Sequence, residues 1–190
     1  MIRVSKVTKH FDEVQALAEV NLDIATGEFI SIVGPSGCGK STLLRIIADL
    51  VDSPGTVKKP NKGAFVFQDS ALLPWRTVQG NVELLMELEH TENKRAKAAI
   101  ALRQVGLNGF EHSYPHQLSG GMKMRLSLAR SLVLDPKYIL LDEPLSAVDE
   151  LTREVLQEEL YDMWNRDKFT AILVTHNIAE AVYLSNRVCI

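Results

Sequence analysis

Short apolar runs and amphipathic segments alternate along most of the chain. Short, mainly apolar runs predict five strands, at residues 28–33, 64–67, 138–141, 170–174 and 187–190, of which those at 64–67 and 138–141 are expected to be buried. Apolar residues at helical spacing predict six helices, at residues 42–50, 78–89, 93–105, 120–134, 151–165 and 178–184. Strands that alternate with helices favour an α/β fold, in which helices cover both faces of a mainly parallel central sheet.

Two stretches depart from this pattern. Alternating apolar and polar positions at residues 2–7 and 20–24 predict a small antiparallel β lobe. Residues 52–63 (DSPGTVKKPNKG) are rich in turn formers and predict irregular structure. The helices between roughly residues 75 and 135 predict a helical subdomain inside a single domain of residues 1–190.

Composition and charge narrow the class of protein. The 190 residues are 46% hydrophobic and 24% charged, which suits one globular domain with a sizeable core. The net charge of −3 gives no basic surplus, so no nucleic-acid partner is expected. Cys38 and Cys189 lie far apart in the sequence, which favours a reducing cytoplasm over a disulfide framework. Neither a signal peptide nor a membrane span is expected, so any membrane role would come through a partner.

A glycine-rich loop separates a predicted strand from a predicted helix. Residues 34–41 (GPSGCGKS) match the pattern G-x-x-x-x-G-K-[ST]. Gly37 and Gly39 allow the backbone to curl so that several N–H groups face one anion, and the helix that begins near Lys40 adds its positive end. Lys40 is predicted to reach the β- and γ-phosphates of a nucleotide, and Ser41 to bind Mg²⁺. A chance glycine turn is the alternative. The predicted phosphate-binding residues are Gly34, Pro35, Ser36, Gly37, Cys38, Gly39, Lys40, Ser41 and Thr42, with Cys38 at the unconstrained position.

Two acidic residues end a later apolar run, in residues 138–143 (YILLDE). In P-loop proteins such a strand lies beside the phosphate loop. Asp142 is therefore predicted to hold Mg²⁺, and Glu143 to polarise the water that attacks the γ-phosphate. The alternative is a strand end that happens to be acidic, and the glycine-rich loop weakens it.

Further motifs follow the loop in a particular order. They are Gln68, LSGGM at residues 118–122, YILLDEP at 138–144, Asp149 and His176. In this order and spacing, they resemble the nucleotide-binding subunits of ABC transporters over nearly the whole chain. The resemblance implies a P-loop NTPase fold with a mainly parallel central sheet. It also implies that ATP is bound with Mg²⁺ and hydrolysed to drive transport across a membrane.

The resemblance also implies roles for isolated residues. Gln68 would meet Mg²⁺ and the attacking water and would sense the membrane partner, and His176 would bond the γ-phosphate. Phe11 would stack on adenine. Taken alone, Gln68 is an ordinary loop residue, His176 a structural histidine and Phe11 a core residue, so these alternatives stay open.

A second copy of the chain is implied by the signature motif. Ser119, Gly120 and Gly121 would close on the γ-phosphate of the nucleotide bound by the other subunit. Ser119 can cap the following helix, whose N-terminus would point at the anion; a plain helix cap is the alternative. Asp149 matches the loop that crosses between subunits. The expected assembly is a homodimer of ATPase subunits.

Two segments point to one branch of this family. Residues 70–82 (SALLPWRTVQGNV) and 141–153 (LDEPLSAVDELTR) resemble importers of nitrate, sulfonates, taurine and related small solutes. The implied partners are permease subunits and, indirectly, a solute-binding protein, with the chain peripheral at the cytoplasmic face of the membrane. Leu72, Leu73 and Trp75 suggest a docking patch for a permease helix, unless they pack under the helical subdomain.

Some features depart from the usual pattern of the family. Met122 stands where relatives usually have Gln, residues 52–63 are shorter than usual, and the C-terminal strands expected after Ile190 are absent.

A truncated fragment that binds nucleotide without transport activity is therefore one alternative. Another is a soluble ABC ATPase that acts on DNA or ribosomes. Only 77 residues separate Ser41 from Ser119, which excludes the coiled-coil insertion of the DNA-repair members, and translation members usually carry two cassettes.

Overall fold

The computed structural model describes residues 1–190, which form two compact units. The first unit contains residues 1–65, 137–143 and 160–190, and the second contains residues 66–136 and 144–159. The strands are β1 (Ile2–Phe11), β2 (Val14–Ile24), β3 (Phe29–Val33), β4 (Thr56–Lys58), β5 (Gly63–Val66), β6 (Tyr138–Asp142), β7 (Thr170–Thr175) and β8 (Arg187–Cys189). The helices are α1 (Lys40–Ile47), α2 (Val78–Leu88), α3 (Lys94–Gln104), α4 (Gly120–Leu132), α5 (Glu150–Asp167) and α6 (Ile178–Leu184), with a 3₁₀ turn at Pro115–Gln117.

The antiparallel lobe in the first unit is a three-stranded sheet in the order β2-β1-β4. Its two long strands extend beyond the predicted ranges, because their pairing continues through several irregularities to Phe11 and Val14. Asp12 turns the chain with a φ of 48°. The strand β4 was missed because only three residues, flanked by turn formers, pair with Arg3–Ser5 of β1.

The second sheet of this unit has five strands in the order β5-β6-β7-β3-β8, and the pairs β3–β7, β3–β8 and β6–β7 are parallel. The predicted mainly parallel sheet is therefore confirmed. Its register aligns Val33 with Thr175, and Asp142 with Val174. The residues that follow β3, β6 and β7 consequently leave the sheet at the same edge, where α/β proteins build their sites.

Apolar residues cover both faces of this sheet. The helix α1 contacts the long antiparallel strand β2 as well as β6 and β7. Its residues Leu44 and Ile47 belong to one buried cluster with Ile30 and Leu140. On the opposite side of β3, the Phe29 ring packs edge-on against Trp164 of α5, with ring centroids 5.7 Å apart.

The second unit is mainly helical. The helices α2, α3 and α4 contact one another in all three pairs. Their fully buried apolar side chains are Val78, Val82 and Met86 of α2, Ala98 and Leu102 of α3, and Leu126 of α4. None of the helices of residues 1–190 is long and apolar enough to cross a membrane.

Candidate active site

The glycine-rich loop ends in a glycine that no other residue could replace easily. Gly39 has a φ of 98° and stands at the N-cap of α1, so the helix begins at Lys40, where the loop motif predicted it. A Cβ atom at this position would lie 2.3 Å from the Ala16 carbonyl oxygen. Gly37 also has a positive φ, of 83°, but a Cβ there would meet no atom within 4 Å. A glycine is therefore required at position 39 by the close approach to β2 as well as by the backbone dihedral angle.

Lys40 is buried inside the loop that it terminates. Its side chain is folded back, with Nζ donating to the carbonyls of Gly34 at 2.7 Å and Pro35 at 2.8 Å. The residue is only 7% exposed. A cationic group held in the concavity of the loop is the arrangement that favours an anion there. Cys38 is exposed, with its sulfur 3.8 Å from the same Nζ.

Ser41 and Asp142 meet at the first turn of α1. The Ser41 hydroxyl donates to the Asp142 carboxylate at 2.6 Å, although 101 residues separate them in the sequence. Asp142 is buried at the end of β6, and the nearest cation is Arg45, whose guanidinium lies 3.9 Å from its second oxygen. Two hard oxygen donors thus lie next to the phosphate loop.

Glu143 and His176 form a second pair at the same edge of the sheet. The Glu143 carboxylate lies 2.9 Å from Nδ1 of His176. Glu143 has a φ of 45° and its backbone N–H donates to the Val174 carbonyl, so the chain turns sharply just after β6. The Glu143 side chain is mostly buried, whereas the His176 ring is more than half exposed. The pair therefore presents a carboxylate and an imidazole to the edge that also carries the loop.

A buried carboxylate stabilises the turn that carries His176. Glu180 of α6 is buried, and its carboxylate accepts a hydrogen bond from the Thr175 hydroxyl. The same hydroxyl accepts from the backbone N–H of Asn177, and the Asn177 side chain caps α6. Both neighbours of His176 are fixed in this way.

Phe11 lies on the surface of the antiparallel lobe. Its side chain is 48% exposed, and the Lys9 ammonium stands 5.1 Å from its ring centroid. The alternative that Phe11 is a core residue is therefore wrong. An exposed ring remains available for stacking.

The signature residues start α4 in the second unit. Ser119 is the N-cap, and its hydroxyl accepts a hydrogen bond from the Met122 backbone N–H at 3.2 Å. A Cβ at Gly121 would lie 2.7 Å from the methyl group of Thr152 on α5, so the glycine lets the two helices approach. The predicted helix cap is therefore present.

Gln68 shares a cavity with the signature helix. The cavity has a volume of about 620 Å³ and lies within the second unit. Gln68, Gly120 and Lys123 line it together with Ser146, Ala147 and Val148. The structure thus brings together Gln68, the start of α4 and the loop that leads to Asp149.

Asp149 is held at the start of α5. Its carboxylate accepts from the Thr152 backbone N–H at 3.0 Å. Hydrogen bonds from the Thr152 side chain and backbone hold the pKa of Asp149 below its ordinary value. The residue is therefore a fixed negative charge at the end of a loop.

Comparison with known proteins decides the family. Residues 17–146 match the sequence family described as ABC transporter. The chain belongs to the ABC transporter family.

Similar members of this family cover the whole chain. It is 46% identical over 205 residues to an uncharacterized ABC transporter ATP-binding protein of Methanocaldococcus jannaschii, covering 100% of this chain and 76% of that protein. It is 42% identical over 203 residues to the aliphatic sulfonates import ATP-binding protein SsuB of Bacillus cereus, covering 100% of this chain and 80% of that protein. A further SsuB protein, from Agrobacterium fabrum, is 46% identical over 189 residues, with 97% and 68% covered.

A solved structure extends this likeness to the fold. It is a dimeric ATP-binding cassette, MJ0796, in a post-hydrolysis state bound to ADP and Pi. The TM-score is 0.87 at 36% identity, with 99% of this chain and 93% of that chain covered. The predicted P-loop NTPase fold and the predicted family are both confirmed.

Sequence reasoning missed three polar residues that shape the site of this ABC cassette. Glu180 supports the turn of His176, as described above. Asn81 and Arg130 hold the chain that follows Gln68. The only sequence signal for Asn81 and Glu180 was a polar residue on the side of a predicted helix that packs against the protein core. That signal does not identify the hydrogen-bond partner.

Proposed function

We propose that this chain binds ATP with Mg²⁺ and hydrolyses it to energise an importer of a small solute. The observation that carries the proposal is the common sheet edge at which the Ser41–Asp142 and Glu143–His176 pairs flank the phosphate loop. An anion cradle, two hard oxygen ligands and a carboxylate–imidazole pair together supply what phosphoryl transfer to water requires.

Binding of the nucleotide would begin in the loop at residues 34–42. Backbone N–H groups of the loop and of the first turn of α1 would hold the phosphates, with Lys40 turning from its carbonyl partners to the β- and γ-phosphates. Thr42 would add a contact to the α-phosphate. The exposed ring of Phe11 would stack on adenine.

The donor set next to the loop fits Mg²⁺. Ser41 and Asp142 offer a hydroxyl and a carboxylate within 2.6 Å of each other, and Mg²⁺ usually takes one or two protein oxygens besides substrate phosphates and water. Gln68 is proposed as a further contact. When bound, Mg²⁺ would neutralise charge on the phosphate oxygens.

Hydrolysis would depend on the second pair. Glu143 would accept a hydrogen bond from the attacking water and so polarise it for attack on the γ-phosphorus. His176 would bond a γ-phosphate oxygen through Nε2, the ring nitrogen that does not face Glu143. Gln68 would orient the same water.

Two copies would complete the sites. Ser119, Gly120 and Gly121 of one copy would bind the γ-phosphate held by the other, with Asp149 in the loop that crosses between them. Support comes from the capped N-terminus of α4, a preformed anion site, and from the dimeric state of the similar cassette.

Transport would follow from contact with a permease at the cytoplasmic face of the membrane. The Trp75 side chain is 72% exposed, whereas Leu72 and Leu73 are half-buried, so Trp75 offers the apolar contact. Among the solutes that the importer could carry, we propose aliphatic sulfonates first, because the similar SsuB proteins are named for the import of aliphatic sulfonates. A solute-binding protein would act indirectly through the permease.

The test replaces the carboxylate of Glu143. Glu143→Gln keeps shape and hydrogen bonding but removes base strength, so ATP should bind with unchanged affinity while phosphate release falls by about 100-fold or more. Calorimetry and a phosphate-release assay measure the two quantities. Glu154→Gln, at an exposed position of α5, is the matched control and should leave both unchanged. Normal turnover by Glu143→Gln would overturn the assignment.

A further inference from the structure

The chain that joins Gln68 to α2 has no regular secondary structure. Residues 67–77 contain neither helix nor strand, and Ala71 has a φ of 45°, in the left-handed region that non-glycine residues rarely adopt. Residues 68–77 are here called the linking segment. A segment without regular secondary structure keeps one conformation only if other groups stabilise it. Two side chains of neighbouring helices do so.

The first is Arg130, in the last turn of α4. Its guanidinium donates to the Ser70 carbonyl at 2.8 Å and to the Ala71 carbonyl at 2.8 Å. Two parallel bonds from one planar fork fix both position and orientation of the peptide that follows Gln68. The contacts hold the guanidinium partly out of water, and this burial lowers the pKa of Arg130.

The second is Asn81, which is fully buried in the first turn of α2. Its side-chain oxygen accepts from the Leu73 N–H at 2.8 Å, and its amide donates to the carbonyls of Leu73, Arg76 and Thr77 at 3.0–3.1 Å. Leu73 and Arg76 also close a turn that has Pro74 and Trp75 at its tip. The exposed Trp75 therefore sits on a turn that is fixed at its base.

These contacts connect three features of the second unit. One end of α4 carries the Ser119 cap, and Arg130 lies 11 residues further, about 16 Å along the helix axis at 1.5 Å per residue. From Arg130 the connection runs to Ser70 and Ala71, two and three residues beyond Gln68. Further along the linking segment lies the turn between Leu73 and Arg76 that presents Trp75.

We propose that Arg130 is a positioning residue that ties the signature helix α4 to the linking segment, so that Gln68, the signature and Trp75 move together. This inference rests on the proposed function, in which Gln68 and the signature engage ATP and Trp75 engages the permease. A lysine at the same place keeps the charge but cannot reach both carbonyls with one rigid fork.

Tryptophan fluorescence offers a direct readout. The chain has two tryptophans, Trp75 and Trp164. Trp164 is buried and its Nε1 has no hydrogen-bond partner, so Trp164→Phe removes no hydrogen bond and leaves Trp75 as the sole reporter. In this background, Mg²⁺ and ATP should change the emission of Trp75, although Trp75 lies in an exposed turn away from the phosphate loop in the sequence.

The test compares Arg130→Lys with Arg125→Lys in the Trp164→Phe background. Arg125 lies on the same helix but pairs with Glu159 instead of the linking segment. Arg130→Lys should bind ATP with unchanged affinity, lose the emission change of Trp75, and lower kcat by about tenfold with little change in KM. Arg125→Lys should keep the emission change and kcat.

Each other outcome is decisive. If Arg130→Lys keeps both the emission change and kcat, or if the parent binds ATP without any change at Trp75, the coupling is wrong. Arg130→Gln serves as a second variant, and failure of both to fold, judged by circular dichroism, would make Arg130 a residue of stability and overturn the proposal. A parent chain that does not bind ATP at all would instead refute the proposed function.

Discussion

At the scale of single residues, close approach determines which positions of the phosphate loop tolerate change. Gly37 and Gly39 share a left-handed backbone, but only Gly39 faces a neighbouring carbonyl. The two glycines look alike in the motif and differ in the structure. They therefore make a matched pair.

We predict that Gly39→Ala destabilises the chain more than Gly37→Ala. Both variants lose about 1–2 kcal/mol to the left-handed conformation. Gly39→Ala must also move β2 or the loop to relieve a 2.3 Å contact with the Ala16 carbonyl. Urea unfolding without nucleotide measures the difference, and equal midpoints would contradict it.

A second prediction concerns Lys40. It is the cation proposed to meet the phosphates, so Lys40→Ala should weaken ATP binding by about 100-fold or more. Isothermal calorimetry gives the affinity. Lys58→Ala, at an exposed position of β4, is the control and should bind like the parent. Undiminished affinity of Lys40→Ala would show that the loop does not bind phosphate as proposed.

At the scale of elements, buried polar side chains stabilise the connections between helices. Asn81→Ala should lower the free energy of unfolding by about 2 kcal/mol, because the Leu73 N–H loses its buried acceptor and the carbonyls of Leu73, Arg76 and Thr77 each lose one donor. Asn165→Ala, which removes only an exposed bond to Lys168, should cost far less. Chemical denaturation of both variants measures the difference, and comparable losses would contradict the role given to Asn81.

Sequence periodicity predicted most elements of the fold for a physical reason. The strands β3, β6 and β7 are buried on both faces, so they read as continuous apolar runs. The strand β4 and the outer half of β1 gave no such signal, because few of their residues are buried. Their pairing also depends on a partner that is distant in the sequence.

The candidate site divides in the same way. Glycines, Lys40, Ser41 and Asp142 are recognisable because their chemistry and spacing are local, and the 2.6 Å contact between Ser41 and Asp142 agrees with the expected neighbourhood of loop and strand. Arg130, Asn81 and Glu180 act on backbone carbonyls or hydroxyls of other segments. Such partners depend on tertiary packing, which no local pattern encodes.

At the scale of the whole molecule, assembly provides the strictest test. Glu143→Gln should form an ATP-dependent dimer, since on the proposed composite site bound ATP that is not hydrolysed would keep Ser119 and Gly121 of each copy engaged. Adding Ser119→Arg should dissolve that dimer without abolishing ATP binding, because a bulky cation blocks the approach of two surfaces. Sedimentation with and without ATP distinguishes the species, and a dimer that survives Ser119→Arg would contradict the composite site.

The register of the parallel sheet has a consequence for synthesis on the ribosome. Val33 pairs with Thr175, so the strand that opens the phosphate loop waits for a partner made 142 residues later (33 to 175). Asp142 and His176 likewise arrive long after Lys40. An emerging chain therefore carries a phosphate loop without its neighbours until β7 has left the exit tunnel. Nascent chains that have not reached that length should therefore fail to hydrolyse ATP, because Asp142, Glu143 and His176 are not yet in place beside the phosphate loop.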